Sequence, residues 1–304
     1  MTAAQPLPDP LAGPEGTAAA LPEAPRREAL YFALRNKKLL IGSAIVGSLL
    51  LLGILAPFFF QNGPNERIAP PGLEPSAQYW FGTTQFGQDI FVQFAHGVRS
   101  TFLVGVLGGG IGAVIGMTVG FVAGYKGGWI DEILNMITNV VLVLPTLAVL
   151  LIIAAYLESR GIVMQSLFIG LTTWPWAARA IRSQALSLSS RDYVDLARLS
   201  GFRTHKIILR DIAPNMSSYL FMTFILLFGG SVLAAAGLDF VGLGPTDGMS
   251  LGLMMHQAVK WGALQLGVWW WFVPPGLGIT AIVGSLYIMN VGLDEVFNPK
   301  LREM

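Results

Sequence analysis

Six stretches of this chain contain no Asp, Glu, Lys or Arg: residues 39–60, 100–125, 133–157, 161–178, 212–238 and 261–293. An α-helix needs about 18–20 mostly apolar residues to cross a bilayer core roughly 30 Å thick. Each run is therefore expected to be a membrane span. The fourth, with Gln165, Thr172, Thr173 and Pro175, has the polarity of a helix packed inside a bundle rather than bathed in lipid. Composition agrees, because 53% hydrophobic and only 12% charged residues leave too little polar surface to cover a soluble globule. The expected fold is an all-α membrane protein of six transmembrane helices.

Lys and Arg give the orientation, since cytoplasmic loops carry the positive excess. With a cytoplasmic N-terminus, only Arg67, Arg99, Arg160 and Lys260 fall outside, which leaves the other 15 of the 19 basic residues inside. Both termini are then cytoplasmic. Residues 1–28, rich in Pro, Ala and Gly, read as a disordered cytoplasmic tail without the basic-then-apolar opening of a signal peptide. Residues 29–60 hold the first span and its lead-in, and 61–99 form an external segment punctuated by Pro and Gly. Residues 100–304 form a five-helix core with a cytoplasmic loop at 179–214; residues 239–260 make a second external loop. Trp261, Trp269, Trp270 and Trp271 cluster at the outer end of the sixth span. They suit an aromatic belt at the interface, or a stacking surface for a sugar ring.

Several chemistries drop out. A net charge of +1 without a basic run argues against nucleic acid. With no Cys and three scattered His, neither thiolate nor His-built metal sites are expected. No Lys follows a Gly, so the G-x-x-x-x-G-K-[ST] phosphate loop of an ATPase is absent. A membrane hydrolase would need a nucleophile with a base or a metal, and no such grouping stands out. No catalytic residue is assigned.

Two features carry information about assembly. Gly108, Gly112, Gly116, Gly120 and Gly124 recur every four residues through the second run, beside Gly105 and Gly109. They leave one helix face almost bare, so another helix can approach closely. In the 179–214 loop, Ser189-Ser190-Arg191-Asp192 reads as a helix start with a Ser cap and an acid in its first turn. Gly201 reads as the stop. Between them Tyr193, Leu196, Ala197 and Ser200 recur at helical spacing. A helix this short is marginal alone, so its apolar face must rest either on its own bundle or on a soluble partner.

Asp195-Leu196-Ala197, then Gly201, then Ile212-Ala213-Pro214-Asn215 resembles the EAA loop of ABC-importer permeases. Gly82-Thr83-Thr84-Gln85-Phe86-Gly87-Gln88-Asp89 and Gly124-Tyr125-Lys126-Gly127-Gly128-Trp129-Ile130-Asp131 are similar to motifs of the dipeptide/oligopeptide/nickel branch. So are Leu144-Pro145, Trp174-Pro175, Leu238-Asp239-Phe240-Val241-Gly242-Leu243-Gly244, and the ending Gly292-Leu293-Asp294-Glu295 with Asn298-Pro299-Lys300-Leu301-Arg302. The resemblance is to the second permease subunit of that branch and covers roughly residues 80–304. In departures from it, Asp195 and Leu196 stand in place of Glu and Ala. Thr84 and Gln88 replace an acid and a base, and Asp239 stands where Ser is usual.

The resemblance implies a type I ABC-importer permease in the bacterial or archaeal plasma membrane. Its implied partners are a second permease subunit in a heterodimer, one or two ABC ATPase subunits and an external solute-binding protein. ATP and Mg would be used by the ATPase partners, and this chain would bind no cofactor. Coupling to the ATPase would fall to Tyr193, Asp195, Leu196, Ala197, Arg198, Gly201 and Arg203, with Arg198 and Arg203 available for ion pairs. The cargo would be an oligopeptide or an oligosaccharide. The alternative is a secondary transporter or channel without ATPase partners. Such proteins place ionisable residues at mid-membrane, and the six runs contain no Asp, Glu, Lys or Arg.

Overall fold

The structure is a computed structural model and describes residues 31–60, 62–157, 160–246 and 248–297. The expected tail 1–28 and the ending 298–304 lie outside the described residues. Within these, regular structure is helical apart from one isolated bridge between Thr83 and Asp89.

Helix α1 (Lys37–Phe59) is capped by Asn36, whose Oδ1 accepts the Leu39 N–H at 2.9 Å. Helix α2 (Ile90–Lys126) starts well before residue 100. Asp89 caps it by accepting the Phe91 and Val92 N–H groups at 2.8 and 3.4 Å, and the lone Arg99 lies on an exposed side where its charge does not break the helix. At 37 residues, α2 is roughly 55 Å long. The third run is split: α3 (Gly128–Val143) and α4 (Thr146–Ala155) meet at 76°. Pro145 has no N–H to give and disfavours helical geometry at Leu144, which is extended (ψ 129°).

Helix α5 (Ile162–Ser189) continues through Pro175. After two short helices, α6 (Asp192–Leu199) and α7 (Thr204–Ile207), the chain stays helical to Leu243. A π turn spans Ile208–Ile212, where Ala213 N–H reaches back five residues to the Ile208 carbonyl at 2.8 Å. Helix α8 (Ser217–Leu238) ends in a second π turn, Asp239–Leu243. The segment expected as an external loop contains helix α9 (Leu251–Lys260), and α10 (Trp269–Phe297) closes the described chain. By length and composition four helical segments can cross a membrane, namely α1, α2, Thr204–Leu243 and α10, or five if the bent α3–α4 pair is one span. Helix α5, at 28 residues, is long enough but more polar.

Helix α2 is the centre of the bundle, and its glycines explain how. A Cβ at Gly112 would lie 2.9 Å from Thr173 Oγ1, one at Gly116 2.8 Å from Ala177 Cβ, and one at Gly120 2.7 Å from the Ala178 carbonyl oxygen. At Gly124 it would lie 2.6 Å from the Arg182 carbonyl oxygen, and at Gly108 3.3 Å from Ile169. All five glycines thus face α5, between Ile169 and Leu186. Gly109 instead faces α8, where a Cβ on it would lie 2.8 Å from the Phe228 backbone. At the far side, a Cβ on Gly42 of α1 would lie 2.7 Å from the Ser285 carbonyl oxygen of α10. Asn36 Nδ2 donates to Glu295 at 2.8 Å, and Lys38 pairs with the same carboxylate.

The four tryptophans divide. Trp271 is wholly buried and Trp270 nearly so, its Nε1–H donating to the Thr83 carbonyl at 3.4 Å. Trp261 and Trp269 remain about half exposed. Only those two keep the surface that a belt or a stacking platform needs. Thr84 and Gln88, the neutral replacements in the 82–89 motif, join to each other through a 3.3 Å hydrogen bond.

Overpacking costs about 1–3 kcal/mol or more where neighbours cannot yield, and the atoms around Gly116 include α5 backbone. Gly116→Leu should therefore lower the Tm of the detergent-purified chain sharply or abolish its accumulation. Gly110→Leu, where an added Cβ meets nothing within 4 Å, should be tolerated. Thermal unfolding of both variants checks the contrast.

Candidate functional site

The site is built at the end of the bundle where α2 terminates in Lys126 and α5 in Ser189. The expected serine cap does not form: Ser189 and Ser190 donate their hydroxyls back to Leu186 and Ser187 carbonyls at 2.8 and 3.1 Å. Those carbonyls belong to the last turn of α5, which is itself short of donors and takes the hydroxyls first. Arg191 occupies the cap position of α6 without a side-chain bond, and the first turn carries Asp192 and Asp195. At the other end Gly201 takes φ +74°. The Phe202 N–H bonds the Ala197 carbonyl at 3.2 Å and the Gly201 N–H bonds the Arg198 carbonyl at 3.0 Å. This is the 6→1 and 5→2 pair of a Schellman stop.

The eight residues of α6 divide between two surroundings. Val194 and Ala197 are buried in a cluster with Ala185 of α5 and with Ile207, Ile208 and Ile212. Leu196 and Leu199 point away, 64% and 84% exposed. The expected common face of Tyr193, Leu196, Ala197 and Ser200 is therefore not one surface. Ala197 turns inward, whereas Tyr193, Leu196 and Ser200 stay exposed. The buried stripe is the neighbouring Val194–Ala197 pair, because small and β-branched side chains fit the close approach to α5. Partial burial pushes the Tyr193 phenol above its ordinary pKa, so it stays neutral near pH 7.

Arg198 is engaged within the chain. Its guanidinium lies over the Tyr125 ring, 5.0 Å from the centroid, donates to the Tyr125 hydroxyl at 3.4 Å and pairs with Asp195 at 2.9 Å. Arg203 stands at the N-terminus of α7 with its side chain exposed. Lys206 and Arg210 flank the Phe202 ring, at 4.3 and 5.8 Å from its centroid, and Leu209 is exposed close by in sequence. The result is an exposed apolar pair on α6, Leu196 and Leu199, with exposed Arg203, Lys206 and Arg210 following in the chain. Sequence reasoning missed Val194, Leu199 and Tyr125. Val194 was legible as the residue three before Ala197, but a Tyr at the end of another helix carries no signal of a partner 73 positions later.

The turn after α2 holds a second tie. Asp131, in the first turn of α3, accepts two hydrogen bonds from the Arg182 guanidinium of α5, at 2.5 and 2.6 Å. The segment between Tyr125 and Asp131 thus grips both α5 and α6. Cation–π pairs at exposed sites are worth about 0.5–1 kcal/mol. A double-mutant cycle of Tyr125→Leu and Arg198→Met, read by thermal unfolding, should return a coupling of about that size; strict additivity would contradict the pairing.

Comparison with known proteins adds to this geometry. The family described as "Binding-protein-dependent transport system inner membrane component" matches residues 116–303. The dipeptide transport system permease protein DppC of Alkalihalophilus pseudofirmus is similar, 31% identical over 286 residues that cover 91% of each chain. The oligopeptide transport system permease protein OppC of Bacillus subtilis is 28% identical over 279 residues, 91% of this chain and 90% of its own. A putative peptide transport system permease protein of Brucella abortus is 30% identical over 277 residues, 88% and 90%. With over half its length matched to that family, and with helical spans to suit, the chain belongs to the binding-protein-dependent transport system inner membrane components.

Proposed function

We propose that this chain is one permease subunit of an ATP-driven peptide importer in a bacterial or archaeal plasma membrane. In this reading six spans cross the bilayer: α1, α2, the α3–α4 pair, α5, α8 and α10. Both termini are cytoplasmic, as the distribution of Lys and Arg supports. Helix α5 counts as a span because it is roughly 42 Å long and lies against the glycine face of α2, shielding its polar residues from lipid. A second permease subunit completes a heterodimer around the path, an external solute-binding protein delivers cargo, and one or two ABC ATPase subunits bind below. ATP and Mg are used there, so this chain does no covalent chemistry. Peptide is preferred over oligosaccharide because the similar permeases bear peptide names.

The observation that carries the proposal is the divided surface of α6. An apolar face that its own bundle leaves exposed, on a helix tied to that bundle by its opposite side, suits a partner that must push. Closure of the ATPase would press on Leu196 and Leu199. Val194 and Ala197 would pass the displacement to α5, and the Arg198–Tyr125 contact would pass it to α2. Asp195 and Gly201 serve by holding Arg198 and by ending the helix. Arg203 adds to the basic rim, where exposed ion pairs are worth little.

Leu196→Glu places a charge in the contact that would be desolvated, a costly change, and touches nothing buried in the chain. The variant should reach the membrane in normal amounts and pair with the sister permease, yet lose the ATPase and all uptake. Intact uptake would refute docking through this face. A second expectation follows from the missing phosphate loop. The chain reconstituted alone should neither hydrolyse ATP nor accumulate peptide under a proton or sodium gradient, and gradient-driven accumulation would establish the secondary-transporter alternative.

A further inference from the structure

At the end of the bundle opposite the α6 site, one carboxylate ties three helices. Asp239, 2% exposed in the π turn after α8, accepts the Ser250 hydroxyl through Oδ2 and the Gln165 amide N–H through Oδ1, each at 2.5 Å. Ser250 also caps α9, accepting the Leu253 N–H at 3.1 Å. A Cβ on Gly244 or Gly252 would lie 2.8 or 2.7 Å from Asp239 atoms, so the carboxylate is enclosed. Both of these donors are neutral. A charge removed from water with only neutral donors is unfavourable unless a cation lies within reach.

Two orphaned atoms indicate how a cation reaches it. Gln165 Oε1 and Arg160 Nε are both shut off from solvent and have no hydrogen-bond partner among the described residues. Both residues line the same small cavity, about 20 Å³, whose other walls include Leu150, Ala154, Phe168 and Leu238. Arg160 is fixed there by its backbone, whose carbonyl accepts the Thr246 N–H at 2.7 Å. The cavity must hold something that donates to an amide oxygen and accepts from a guanidinium N–H. An anion is repelled by Gln165 Oε1 and a metal cation by Arg160. The space suffices for one water, which needs about 10–15 Å³ and at least two polar partners.

We infer that a single buried water bridges Arg160 Nε and Gln165 Oε1, linking Arg160 through Gln165 to Asp239 and Ser250 in one polar chain. The water accepts from the guanidinium and donates to the amide oxygen, and the amide N–H donates to the carboxylate. Each bond polarises the next, and Arg160 becomes the distant countercharge of Asp239. The chain joins α5, the end of α8 and the start of α9, and so fixes the end of the bundle where α9 and the 239–250 segment lie.

The test is a double-mutant cycle on the full-length chain purified in detergent. Arg160→Met should lower Tm by about 2–4 °C while Asp239 is present and leave it unchanged in an Asp239→Asn background. If Asp239→Asn does not accumulate, Asp239→Ser supplies a second uncharged background. A map of the native protein at water-resolving resolution should show one density between Arg160 Nε and Gln165 Oε1. Equal Tm losses in both backgrounds, or a dry cavity, would overturn the inference.

Discussion

Close approach of backbone to backbone, made possible where α2 has no side chains, is the interaction on which the rest of the molecule depends. Lipid tails are as apolar as leucine, so no hydrophobic force draws spans together in a bilayer. Packing contacts and the few interhelical polar bonds must do it. The face from Gly108 to Gly124 lets α5 lie along α2 over four successive repeats, which maximises those contacts. Helix α5 can then bury Gln165 and Ser166, and its last turn sits at a fixed height beside Tyr125. Everything in the α6 site is measured from that turn.

Much of this architecture was legible. The glycine repeat named the helix and the face, and Gly201 marked a stop that needs positive φ, whereas the break at Leu144-Pro145 falls inside a run expected as one span. These features are local, determined by what one residue can or cannot do. What failed was competition between local options. Ser189 and Ser190 suit a helix start, but the donor-poor end of α5 takes their hydroxyls first. Tyr193 and Leu196 look equivalent to Ala197 on a wheel, yet only Ala197 of the three is buried, beside Val194. Charge-free runs also undercount helices. Helix α2 begins at Ile90 because one exposed Arg does not stop it, and α9 was hidden by its length of ten residues. The Arg198–Tyr125 contact lies beyond any local pattern.

The two ends of the bundle are built on different principles. At the Lys126 end, ties are ionic and aromatic, partly exposed and individually modest. Its inward anchor is apolar, through Val194, Ile207 and Ile212. At the opposite end, Asp239 is buried with Gln165 and Ser250, where a lost partner is expensive. There the segment 64–89 is also pinned, with Gln93 donating to the Pro64 carbonyl at 2.9 Å and Thr83 to the Pro70 carbonyl at 2.8 Å.

The most direct measurement uses the absence of cysteine from this sequence. A single Leu199→Cys substitution places a unique thiol at the most exposed apolar point of α6, where the native side chain is 84% exposed. Its reaction rate with a membrane-impermeant maleimide is compared in the assembled transporter and after the ATPase subunits are stripped away. The account predicts strong protection in the assembled complex and fast labelling once the subunits are removed. Equal rates in the two states would contradict it, because α6 would then bear no partner on the face that the bundle leaves open.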